Sequence, residues 1–172
     1  ISVLLQYEAT INGEKVGNAF LTPGWTNNVQ TVFYNSYDVT SMVKAGKNAV
    51  GAIVGNGFYN INRERYRKLV IAYGEPKLIA QLRIRYKDGY EKILVSGADW
   101  KASPSPITFT SIYGGEDCDA RLEQAGWNQP GFDDRAWQNA VSVTPPSGKL
   151  TEEKYSPLEI KDTFSAKTIT KL

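Results

Sequence analysis

The chain has 172 residues, 41% of them hydrophobic and 22% charged, with 20 Lys or Arg against 18 Asp or Glu. That length suits one domain, which buries about 70% of its unfolded surface in a core. The net charge of +2 falls short of the dominant basic patch of a nucleic-acid binder, and no apolar run is long enough to span a membrane.

In chain order the pattern is that of strands. Val3, Leu5, Tyr7, Ala9 and Ile11 alternate with Leu4, Gln6, Glu8 and Thr10, a period of two. Asn12-Gly13 follows as a hairpin signal and Val16 resumes the apolar pattern. Residues 31–37 read as the next strand. Asp38 or Thr40 then caps a single helical turn that Gly46 stops. Further strands are expected over 48–54, 78–86 and 91–95, the last two joined at Lys87-Asp88-Gly89, and then over 108–112, 140–143, 158–160 and 166–170. Only 41–45 and 133–138 read as helical. Many short strands punctuated by Gly and Pro, with almost no helix, predict an all-β, antiparallel β-sandwich of jelly-roll type.

The loops at 22–30, 55–68, 97–106 and 113–134 are long for plain connections, and ordered loops on a β scaffold carry function. Thr144-Pro-Pro-Ser-Gly148 reads as a linker. It divides a β-sandwich accessory domain at 1–147 from an exit strand at 148–172 that runs toward a neighbouring domain. The chain starts at Ile1, in mid-strand by pattern and without methionine or signal peptide, so a piece of a longer protein is expected.

With no histidine in the chain, imidazole metal ligands and the Ser-His and Cys-His dyads are excluded. One cysteine, Cys118, excludes an internal disulfide, and without an activating His it reads as a plain thiol. Charge is unevenly spread. Residues 61–93 hold nine Lys or Arg and four acids, while 113–134 hold six acids and one Arg. The basic and aromatic run from Arg63 to Lys68 reads as an anion-attracting loop, a solvated loop or a docking surface.

Glu116 and Asp119, with Arg121 beside them, admit two readings. Paired carboxylates about 5–9 Å apart can cleave a glycosidic bond. Alternatively the acids accept loop N–H groups and pair with Arg121. Pro23-Gly-Trp25-Thr-Asn27-Asn28 puts an indole and two amides on one turn. Its oxygens suit sugar hydroxyls or Ca²⁺, although calcium sites usually include a carboxylate. Gly55-Asn56-Gly-Phe58-Tyr59 is a second glycine-flanked aromatic loop, suited to stacking on a sugar ring or to packing; it lacks the lysine of a phosphate loop. Trp100, Trp127 and Trp137 read as core or interface by size.

In this order, Tyr7-Glu-Ala-Thr-Ile-Asn-Gly13, Leu21-Thr-Pro-Gly-Trp-Thr26, Tyr37-Asp-Val-Thr40, Gly55-Asn-Gly-Phe-Tyr59, Tyr73-Gly-Glu-Pro76, Asp99-Trp-Lys101 and Tyr113-Gly-Gly-Glu-Asp-Cys-Asp-Ala-Arg121 resemble the N-terminal β-sandwich of bacterial α-L-rhamnosidases, family 78 glycoside hydrolases. The resemblance implies a galactose-binding-like sandwich in a periplasmic or extracellular parent enzyme. That enzyme would remove terminal α-L-rhamnose with inversion, through two glutamates in a separate (α/α)₆ barrel, so this chain would have no catalytic residues. It would be an accessory domain that contacts rhamnose-containing carbohydrate or, alternatively, a spacer docked on the other domains of the same chain. In some members such a sandwich holds rhamnose through calcium. Carried over, the calcium ligands would be Asn27, Asn28 and the main chain near Pro76. By residue type, Trp25, Asn27, Asn28, Asn56, Phe58, Tyr59, Glu116, Asp119 and Arg121 are the sugar-binding candidates. Binding members have an aspartate where this chain has Asn27, and many have Gly-Asp-Gly-Trp where it reads Gly55-Asn-Gly-Phe58.

Overall fold

A computed structural model describes residues 1–61, 73–168 and 170. The run from Arg63 to Lys68 lies outside them. The first strands are β1 (Ser2–Val3), β2 (Gln6–Ile11), β3 (Glu14–Lys15), β4 (Thr31–Tyr34) and β5 (Val50–Gly55). They are followed by β6 (Leu78–Ile79), β7 (Gln81–Arg85), β8 (Glu91–Val95), β9 (Lys101–Ala102) and β10 (Ile107–Ser111). The last three are β11 (Gly115–Cys118), β12 (Gln138–Asn139) and β13 (Lys149–Glu152). The domain is all-β, as expected. Its one helical element among the described residues is a 3₁₀ turn at Ala120–Leu122.

The strands form six small ladders, β3-β2-β5, β1-β6, β7-β8, β9-β12, β10-β11 and β4-β13. All are antiparallel except the last, in which Thr31 to Tyr34 run parallel to Lys149 to Glu152. These ladders do not by themselves trace a jelly-roll order.

The alternation at the N-terminus makes the core. Val3, Leu5, Tyr7 and Ala9 form one buried cluster against Val16, Tyr37, Val54 and Leu78, and Ile11 is buried beyond them. Leu4 and Thr10, expected on the outer face, are buried as well, so β2 is covered on both sides along part of its length. The Asn12-Gly13 turn is as expected. Both residues hold positive φ (53° and 85°), which only Asn and Gly tolerate readily, and the pair closes Ile11 onto Glu14. Asn12 is buried, and its amide donates to the Met42 carbonyl (2.9 Å) and Asn48 Oδ1 (2.8 Å).

Several expectations fail for physical reasons. The turn after Asp38 does form, with the Thr40 N–H on Asp38 Oδ1 (2.9 Å) and the Met42 N–H on the Val39 carbonyl (3.0 Å), but no helix grows over 41–45. Residues 133–137 make one turn and no helix: Asp133 accepts the Arg135 N–H (3.2 Å), the Trp137 N–H reaches the Asp134 carbonyl (2.9 Å), and Gln138 already belongs to β12. The strand expected at 140–143 belongs to no ladder, leaving Val141 and Val143 exposed. That expected at 158–160 shrinks to a bridge between Leu158 and Phe20. Residues 166–168 and 170 are irregular. The supposed loop at 113–134 opens with a true strand, β11, which folds back on β10.

Candidate functional site

The turn from Leu21 to Asn28 leaves the core beside Tyr7, whose N–H donates to the Thr22 carbonyl (3.0 Å). Leu21 holds φ +53° with its side chain exposed, an uncommon backbone state for a residue with a Cβ and one that clusters at functional turns. The turn presents Trp25, which is 61% exposed. One face of its indole lies on Phe58, with ring centroids 4.5 Å apart and planes 10° from parallel. Phe58 in turn meets Tyr113 edge-on at 6.2 Å. Three aromatics from three segments thus make one row. Beneath it is an open cavity of about 230 Å³ whose lining includes Leu5, Pro23, Trp25, Asn28, Phe58 and Tyr59. That is smaller than the roughly 300–1,000 Å³ of sites for drug-sized ligands; it has room for a single small ring.

The turn is held from below by polar groups. Glu153, just past β13, accepts the Gly24 N–H on Oε1 (2.7 Å) and the Asn35 amide on Oε2 (2.7 Å). The Thr22 hydroxyl stands 3.2 Å from the same Oε2 and 3.1 Å from Asn35 Oδ1. Tyr7 donates to Asn35 Oδ1 (3.1 Å) and lies 3.0 Å from the Tyr37 hydroxyl. Burial, followed by the Tyr37 contact, pushes the Tyr7 phenol far above its ordinary range, so it stays a neutral donor. Sequence reasoning did not find Glu153 or Asn35: no local pattern links them to a turn over 100 positions from Glu153.

Of the residues singled out from sequence, Trp25, Asn28, Phe58 and Tyr59 do meet at the cavity. Asn27 and Asn56 stand beside it as braces. Asn27 Oδ1 accepts the Val29 N–H (3.1 Å), its carbonyl accepts the Gln30 and Thr31 N–H groups, and the Asn56 amide donates to the Thr110 carbonyl (3.0 Å). Asn28 Oδ1 takes the Thr26 hydroxyl (3.0 Å). Pro76 is exposed and outside the lining. Calcium wants six to eight oxygens with carboxylates among them. The amide oxygens here are neutral and already engaged, and among the described residues no three Asp, Glu, Cys or His side chains gather. These residues do not fit a calcium ion.

Glu116, Asp119 and Arg121 do not line the cavity. Glu116 sits opposite Thr110 in the hairpin, within 3.3 Å of its hydroxyl. Asp119 caps the 3₁₀ turn through the Arg121 N–H (3.1 Å) and grips the guanidinium with both oxygens (2.8 and 2.6 Å). Asp133 and Arg135 repeat that clasp, at 3.2, 2.8 and 2.6 Å. In both, the bonded guanidinium and the accepted N–H lower the carboxyl below its usual pKa. Asp119 and Asp133 each hold their own turn. Cys118 is exposed beside them.

Fold and site define a class: a small all-β domain that carries a row of surface aromatics on turns above a shallow cavity. The family profile described as Alpha-L-rhamnosidase N-terminal domain matches residues 1–162. An α-L-rhamnosidase of Streptomyces avermitilis is 48% identical over 132 residues, 76% of this chain and 13% of that protein. One from Formosa agariphila is 40% identical over 143 residues, 81% of this chain and 15% of that protein. Among solved structures, the S. avermitilis α-L-rhamnosidase complexed with L-rhamnose superposes with a TM-score of 0.86 at 40% identity, covering 94% of this chain and 16% of that one. The α-L-rhamnosidase of Dictyoglumus thermophilum gives 0.84 at 43%, covering 94% and 17%. The chain belongs to the α-L-rhamnosidase N-terminal domain family. It spans less than a fifth of the length of each of these relatives, and the part matched is the N-terminal domain rather than the catalytic region.

Proposed function

We propose that this domain is a carbohydrate-contacting accessory module of an α-L-rhamnosidase, and that it meets a rhamnose-bearing glycan at the Trp25 end. The observation that carries this reading is the aromatic row. One face of Trp25 is covered by Phe58, while the residue as a whole remains 61% exposed at the cavity. A large apolar ring left in water is what the C–H face of a sugar needs. With a neutral, engaged oxygen set, contact is proposed to need no metal.

Titration with L-rhamnose, with Ca²⁺ or with EDTA, tests this. The reading predicts saturable binding at millimolar sugar that is the same in both. No response at millimolar sugar would end the sugar reading, and loss of binding in EDTA would end the metal-free form of it.

A second reading, a spacer docked on other domains of the same polypeptide, is favoured by β8, where Ile93, Leu94 and Val95 are 50%, 44% and 59% exposed on both faces of one strand. Charged substitutions there would then weaken domain association in the full-length protein and leave rhamnose binding unchanged.

A further inference from the structure

Glu153 lies 129 positions along the chain from Gly24, yet its carboxylate grips the N–H of this residue, which directly precedes Trp25. Its two oxygens serve different parts of the turn. Oε1 holds the Gly24 N–H, while Oε2 takes the Asn35 amide and faces the Thr22 hydroxyl. Its own N–H donates to the Tyr34 carbonyl (3.0 Å) and so continues the parallel pairing of β13 on β4. The carboxylate therefore ties the turn to the ladder. Donors converge on both oxygens, and a glutamine could accept on only one, turning an N–H toward a donor. The chemistry of the position asks for a carboxylate.

We propose that Glu153 is the positioning residue of the Trp25 turn, which makes β13 part of the sugar site although none of its residues lines the cavity. Seating of Lys149 to Glu153 on β4 sets the angle at which the indole meets a sugar ring. By linkage, a bound sugar holds β13 in place to the same degree. The proposal rests on Trp25 as the sugar-contacting face, and its test is chosen to fail separately from that reading.

In backbone-assigned NMR spectra, E153Q is compared with E153D and with D162N, which removes the same charge from an exposed position outside β13. Each protein is then titrated with L-rhamnose. E153Q should displace the Gly24 amide and Trp25 indole signals and weaken binding at least tenfold. E153D, shorter by one carbon, should fall between, and D162N should match the parent. Unmoved Gly24 and Trp25 signals in E153Q overturn the proposal, and so do moved signals with unchanged affinity. If the parent takes up no rhamnose, the sugar reading alone fails; the Gly24 and Trp25 signals then decide whether Glu153 positions the turn. Should E153Q not fold, Thr22→Ala, which removes one hydroxyl facing the carboxylate, is read by the same signals and affinity.

Discussion

Two groups of three aromatic rings among the described residues are made from the same materials, and they do opposite things. Around Trp25, the indole and Phe58 stack across two turns and Tyr113 closes the row, but much of the ring surface faces water. Around Trp127, the indole lies against Trp137 (6.4 Å), Phe132 meets Trp137 edge-on (5.5 Å), and the Trp137 N–H donates to Gln124 Oε1 (2.6 Å). The Trp127 ring also covers Gly51 of β5 so closely that a Cβ there would stand 2.5 Å from it. All three rings of the second cluster are half-buried, and the Trp137 N–H among them is satisfied. The difference is in what meets the ring faces. Protein meets them at Trp127, and solvent meets much of Trp25. Aromatic content marks both, and only the covering separates a brace from a surface.

The largest effect that sharpens this contrast is on stability. Trp127→Ala should cost about 2–3 kcal/mol, less than the ~3–5 of a fully buried aromatic, with rhamnose affinity unchanged; urea denaturation alongside a sugar titration measures both. Gly51→Ala should cost about 1–2 kcal/mol through overpacking against Trp127, seen as a lower midpoint at constant m. Trp25→Ala should do the reverse, lowering sugar affinity tenfold or more, which is about 1.4 kcal/mol, while the denaturation midpoint barely moves.

The smallest effect is electrostatic. The Asp119 and Asp133 carboxyls are held below the ordinary carboxylate range by Arg121 and Arg135. A depressed folded-state pKa contributes stability above the unfolded value, about 3.9, and that contribution is lost as pH falls through the folded one. Melting followed by near-ultraviolet circular dichroism below pH 4 should therefore be less steep with pH in the D119N/D133N double variant, and salt should shrink the difference. Equal slopes would mean that the clasps stabilise nothing.

Local features were legible from sequence and distant ones were not. The buried set from Val3 to Ile11 and the Asn12-Gly13 turn follow from period-two alternation and from the tolerance of Asn and Gly for positive φ. Trp25, Asn28, Phe58 and Tyr59 could each be named as candidates by residue type. Their meeting at one cavity depends on the fold, as does the Trp25–Phe58 stack. The parallel pairing of 31–34 with 149–152, and the hold of Glu153 on Gly24, leave no local trace because the partners are over 100 positions apart. The acids near Asp119 admitted two readings from sequence, and the structure shows the pairing with Arg121, repeated by Asp133 and Arg135. Each clasp is an Asp two residues before an Arg, a spacing that satisfies an N–H and a guanidinium at once.

The most direct measurement follows the four indole N–H signals while the domain is titrated with L-rhamnose. The Trp25 signal should move and saturate while those of Trp127 and Trp137 stay in place. Movement at Trp127 or Trp137 with Trp25 unchanged, or no movement at all, would rule out sugar contact at Trp25.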